Sequence, residues 1–182
     1  MKTAALTVRK VFWIELGLAL MVVLVFGQTL RFELVSFDDH QYLTENIHVL
    51  SGLTTEGVRW AFSSIYASNW HPLTWVSHMI DVSVFGLNAG GHHLVNVGFH
   101  LFSTLILFAL LRKMTGTLWK SAFVSALFGL HPLHVESVAW IAERKDVLST
   151  FMALVTLWAY TRYIDQPTPG KYFVVAVFFN IP

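Results

Sequence analysis

Asp38 and Asp39 stand side by side in Phe37-Asp38-Asp39-His40, shortly after the first long apolar run ends at Leu30. Two adjacent carboxylates near low-dielectric material repel each other, which suits one of them to take a proton from an attacking hydroxyl as a general base. The same residues also read as a solvated turn in which Asp39 caps a short helix through Tyr42 to Asn46. Further along, Arg144-Lys145 sets a guanidinium fork beside a point charge. That pair suits a phosphate, or else its own neighbours Glu143 and Asp146. His71, in Trp70-His71-Pro72-Leu73, and the group His131, His134 and Glu136 add imidazoles and a carboxylate to the same inventory. With His40 or Asp38, that last group offers donors for zinc or manganese. Two histidines three apart around a proline are not a strong metal spacing, so no metal or cofactor is assigned and a divalent ion stays an open option. His92, His93 and His100 read as interface or helix-packing residues.

Composition says what must position these groups. Of 182 residues, 55% are hydrophobic and 13% charged, against about 45–50% and 25% in soluble domains. The chain is a membrane protein. It has no cysteine, which excludes disulfides and thiolate metal sites. A net charge of +1 argues against nucleic acid as a partner.

The apolar runs predict an all-α, polytopic helix bundle, with spans at 11–30, 94–111, 118–138 and 147–163. A further run at 172–182 is about half a crossing long, so the expectation is an amino-terminal fragment truncated in its fifth span. Residues 31–93 form one long connection with two amphipathic stretches, read as short helices lying in the membrane interface. In the first, Val58, Ala61, Phe62 and Ile65 share a face, and Trp60, Trp70 and Trp75 suit the headgroup level. These tryptophans also fit the core of a small external domain.

Charge sets the expected orientation. With four full spans, Lys2, Arg9, Lys10, Arg112, Lys113, Lys120, Arg162 and Lys171 fall on one side, which is eight of the twelve basic residues. Nine of the eleven acids fall on the other. An excess of Lys and Arg marks the cytoplasmic side, so the amino terminus is expected there, and all the clusters above on the opposite face. A re-entrant third segment would spoil this partition, so a spanning one is expected.

Five motifs then occur in order: Phe37-Asp38-Asp39-His40, His71-Pro72-Leu73-Thr74, Gly91-His92-His93-Leu94-Val95-Asn96-Val97, His131 through Ala139, and Arg144-Lys145-Asp146-Val147-Leu148. Over residues 35–150 the chain resembles the transmembrane and tetratricopeptide-repeat glycosyltransferases, integral membrane enzymes of GT-C type. The resemblance implies an inverting transfer of mannose or another hexose from a polyprenyl-phosphate carrier to a hydroxyl, with protein serine or threonine as acceptor. It implies Asp38 and Asp39 as the catalytic pair. Arg144, Lys145, His131, His134, Glu136, His40 and His71 would surround the donor, with membrane lipid about the tail. It implies a multi-pass protein of the bacterial inner membrane, or of the endoplasmic reticulum if the source is a eukaryote, with a repeat domain beyond the spans. His71 departs from the family pattern, standing where an arginine often precedes the Pro-Leu pair. Two other classes compete: a transporter or flippase for a lipid-linked or anionic solute, using the same ionisable groups as a relay, and a membrane scaffold.

Overall fold

A computed structural model describes residues 2–179, with side chains from Val8 onward. The described residues form nine α-helices: α1 (Lys2–Phe26), α2 (Ile47–Leu50), α3 (Thr55–Ser63), α4 (Pro72–Phe85), α5 (Ala89–Thr115), α6 (Leu118–Leu130), α7 (His134–Ala139), α8 (Arg144–Asp165) and α9 (Pro169–Phe179). No strand occurs among them, only an isolated bridge between Tyr66 and Asn69. Three segments, Val8–Arg31, Ala89–Thr115 and Ile141–Asp165, are long and apolar enough to cross a membrane. The protein is an all-α membrane helix bundle. Residues 180–182, the end of the run expected at 172–182, lie outside the described residues.

Local chemistry sets the boundaries. Asn88 caps α5 by accepting from the Gly91 N–H at 3.1 Å, and Thr54 caps α3 by accepting from that of Gly57 at 3.0 Å, each satisfying an orphan donor of the first turn. Pro72 opens α4 where a missing N–H costs nothing. Gly116, at φ +68°, ends α5 in the left-handed conformation that closes a helix.

Helices α5 and α8 run the same way. Arg144, the first residue of α8, reaches Asn96 and the His92 carbonyl near the start of α5, while Lys113 and Asp165 pair at their far ends. The stretch between must therefore carry the chain back along the length of α5. It does so in two pieces: α6 is 13 residues long, about 20 Å, and the chain breaks at His131-Pro132 before α7. The His100 ring lies 3.0 Å from the Gly129 carbonyl near the end of α6, and Gly129 packs so closely that a Cβ there would meet Thr104 at 3.0 Å and Val22 at 3.2 Å. Small residues permit such approach between membrane helices.

Two cores result. Val22, Phe26, Val97, Val138 and Val147 join α1, α5, α7 and α8. A second core gathers Tyr42, Leu43, Val49, Ala61, Trp75 and Met79 from the 31–93 connection against Ile141 and Ala142. This connection is therefore a folded unit rather than a set of helices laid singly on a surface. Trp75 is its fully buried centre, not a headgroup anchor, whereas Trp70 is exposed. The expected apolar face of α3 is divided: Ala61 points inward while Phe62, and Ile65 just beyond the helix, face out.

Candidate functional site

The two adjacent aspartates have opposite environments. Asp39 is completely buried. Its Oδ2 accepts from the Val35 N–H at 2.8 Å and its Oδ1 from the Ala142 N–H at 2.9 Å. It is neither a solvated turn residue nor a side-chain cap: the following turn, His40–Thr44, is a π-turn closed by Glu45 N–H to His40 carbonyl at 2.8 Å. The carboxylate instead ties the connection to the segment before α8, across 103 residues of sequence. Asp38 is half-buried and makes no hydrogen bond or ion pair among the described residues. Phe37 packs on Trp140, ring centroids 6.1 Å apart.

The Tyr42 phenol lies in the field of Asp38. Burial raises the Tyr42 phenol above its ordinary value, Lys145 opposes this, and Glu143 and Asp38 add to it. The Tyr42 ring lies 5.7 Å from that of His71, and both flank Trp75 at 4.7 Å. Burial, with the Lys145 ammonium adding to it, lowers His71 to about 4, so at neutral pH it is an uncharged imidazole. It can offer a hydrogen bond but not a positive charge. Its buried Nε2 has no protein partner. Lys145 is one-third exposed and pairs with Glu143 at 2.7 Å.

Arg144 lies elsewhere, fully buried beneath α4. Its Nε donates to Asn96 Oδ1 at 2.5 Å, Nη1 to Ser77 Oγ at 2.9 Å and Nη2 to the His92 carbonyl at 2.8 Å. Nη1 also stands 2.5 Å from Asp81 Oδ2. A buried guanidinium needs such company, because an unpaired charge in the interior is very costly. Asn96 additionally donates to the Val138 and Trp140 carbonyls, so one polar knot fixes the start of α8.

The histidine motif forms a third place. His134 lines a cavity of about 260 Å³ with His100, Ser103, Ser137 and Asp146, a cavity whose walls do not include either Asp38 or Asp39. Ser137 donates to Asp146 at 3.1 Å. His131 is exposed and accepts from the Leu133 N–H, and Glu136 is exposed on α7. His40 Nδ1 lies 2.9 Å from Thr44 Oγ1. Of the groups singled out in the sequence, the structure sets His71 and Lys145 about Tyr42, whose phenol also senses Asp38, ties Asp39 and Arg144 into buried hydrogen bonds, and sets His134 apart in its own cavity. The sequence alone assigns no role in a site to Tyr42, Ser77, Asp81 or Asn96. A lone Asp81 within the apolar run from Leu73 to Phe85 was the available signal, since a charge there requires a partner.

These features define a class: an α-helical membrane protein with polar chemistry gathered where α5 and α8 begin. Its relatives are specific. The chain is 33% identical over 165 residues to the protein O-mannosyl-transferase TMTC1 of Mus musculus, covering 82% of this chain and 17% of that protein. It is 35% identical over 109 residues to TMTC1 of Homo sapiens, covering 58% and 12%, and 31% identical over 103 residues to Tmtc2 of Drosophila melanogaster, covering 56% and 11%. The chain is thus homologous to protein O-mannosyl-transferases of TMTC type, and spans about a sixth or less of the length of these relatives. No family model and no solved structure matches it.

Proposed function

We propose that the chain carries the catalytic acidic loop of an inverting, GT-C type glycosyltransferase. It would move mannose or a related hexose from a polyprenyl-phosphate carrier to a protein serine or threonine hydroxyl on the non-cytoplasmic face, with the amino terminus in the cytoplasm. The relatives' names support the sugar and the protein acceptor. The observation that carries the site assignment is the inequality of the two aspartates: Asp39 has both oxygens engaged by backbone N–H groups, and Asp38 has none engaged. Asp38 is the general base. It takes the hydroxyl proton as the acceptor oxygen bonds to the anomeric carbon, while the bond from that carbon to the phosphate oxygen breaks and polyprenyl phosphate departs. Asp39 is a positioning residue that fixes the loop.

For the leaving phosphate, Lys145 is the better candidate than Arg144, because it is partly exposed and near His71, whereas the guanidinium is occupied by Asn96, Ser77, Asp81 and His92. Charge on the departing oxygen develops in the transition state, where a nearby ammonium is most effective. His71 and His40 would shape the donor and acceptor surfaces near Asp38, while His134, with His131 and Glu136 on the same segment, belongs to the separate cavity. A transport role draws its support from the cavity of His100, His134 and Asp146 between α5 and α8.

The full-length protein, reconstituted with labelled polyprenyl-phosphate mannose and a pool of serine/threonine peptides, tests the proposal. Label should enter peptide, and Asp38→Asn should abolish it while the protein stays folded. Unchanged transfer by Asp38→Asn removes it as the base. Release of the labelled donor into the opposite leaflet without peptide labelling favours transport.

A further inference from the structure

Beneath α4 lies a cluster that the proposed reaction does not use. His78 and Asp81 are three residues apart, hence on one face of the helix, and His92 faces them from the first turn of α5. All three are buried, at 0%, 3% and 0% exposure. One ligand atom from each lies within 4.8 Å of the others.

His92 is the informative member. Its Nε2 is 3.1 Å from the Gly86 carbonyl, and because a carbonyl only accepts, Nε2 carries the ring proton. In the neutral ring Nδ1 then presents a lone pair. That lone pair faces Asp81 Oδ2 at 3.3 Å, an acceptor against an acceptor. Such a contact is unfavourable in a buried site unless something positive lies between. His78 adds a second imidazole, with both ring nitrogens buried and without a hydrogen-bond partner in the protein.

We propose that His78, Asp81 and His92 form a buried three-donor site for one divalent transition-metal ion of zinc type, which staples α4 to α5 and leaves the fourth position of the ion to a small ligand such as water. Two imidazoles and a carboxylate are zinc donors. The Gly86 carbonyl is the outer partner that fixes the tautomer of a ligating histidine. Tetrahedral zinc, about 2.1 Å from each ligand, sets the ligands about 3.4 Å apart. The His92–Asp81 pair already stands at 3.3 Å, and the third ligand closes in from no more than 4.8 Å. Arg144 is the competing cation, 2.5 Å from the same Asp81 oxygen. Its hydrogen bonds to Asn96, Ser77 and the His92 carbonyl keep it in place when the ion takes a share of that carboxylate. The added positive charge makes this a weaker site than a charge-balanced zinc centre.

The test uses the protein in detergent, purified through a tag free of histidine, stripped with a chelator, loaded with zinc ion alone and dialysed. Metal counting should find about one zinc per chain. His78→Ala and His92→Ala should each weaken retention by at least the roughly 10- to 100-fold that loss of an outer-shell partner costs, while His48→Ala, on α2 and stacked against Trp60 rather than in the cluster, should not. Zinc far below one per folded wild-type chain overturns the site. Retention unchanged by both alanine variants overturns it equally. Should those variants not fold, X-ray absorption at the zinc edge of the loaded wild type decides: imidazole scattering supports the site, and its absence refutes it. The readout is metal content, so the outcome is independent of sugar transfer.

Discussion

Replacing Asp39 by asparagine separates framework from chemistry. The carboxylate accepts two backbone N–H groups at 2.8 and 2.9 Å from full burial. Asparagine retains one acceptor oxygen and turns its NH2 against the other backbone donor. One charge-assisted bond, worth about 1.5–3 kcal/mol, is lost, and the other becomes a neutral bond worth roughly 1 kcal/mol. The sum is a destabilisation of about 3 kcal/mol, a factor of roughly a hundred in the local opening equilibrium. Unfolding in detergent, followed by the emission of Trp75 in the same core, should shift down by about 6–12 °C for a chain of this size. Amide exchange at Ala142 should accelerate in proportion. Asp38→Asn removes no hydrogen bond among the described residues, so its stability should stay within about 0.5 kcal/mol of wild type even as transfer is lost. If Asp39→Asn melts with the wild type and its Ala142 amide stays equally protected, the clamp is refuted, and with it the division of labour between the two aspartates.

Two other outcomes follow from the same geometry. Arg144→Met strands Asp81 as a buried, uncompensated charge and should cost about 3–5 kcal/mol; adding Asp81→Asn should recover a large part of it, as a double-mutant cycle on unfolding will show. His71 titrates at about 4 in the folded protein against 6.5 ordinarily, so between those values the unfolded chain binds the proton more readily. Stability contributed at this position is complete above pH 6.5 and drains as the pH falls toward 4. His71→Gln should therefore flatten the decline of unfolding temperature over that window, and an unchanged slope would contradict a neutral, desolvated ring.

The bundle was legible because its signals are local. Apolar runs long enough to cross a membrane, a glycine at the end of α5 and a proline at the start of α4 each act within a few residues. The roles of the charged groups were not, because their partners are distant in sequence. Asp38 and Asp39 are indistinguishable on paper; the donor that separates them is the N–H of Ala142, 103 residues away. Arg144 beside Lys145 looked like an anion fork, yet burial assigns it to Asp81 and Asn96. Trp75 fitted a headgroup anchor or a core residue equally, and only the convergence of Ile141 and Ala142 on the connection decides between them.

The Asp39–Ala142 bond also sets a schedule for biosynthesis. The 31–93 connection cannot complete its core when it first emerges, because Ile141 and Ala142, and the N–H that Asp39 needs, have not yet been made. At about 5–20 residues per second, the wait for 103 residues is about 5–20 s. Throughout it, the connection exposes apolar side chains that the complete fold hides. The interval closes only when the residues just before α8 have been made, so the last contact of this core is also its latest to become possible.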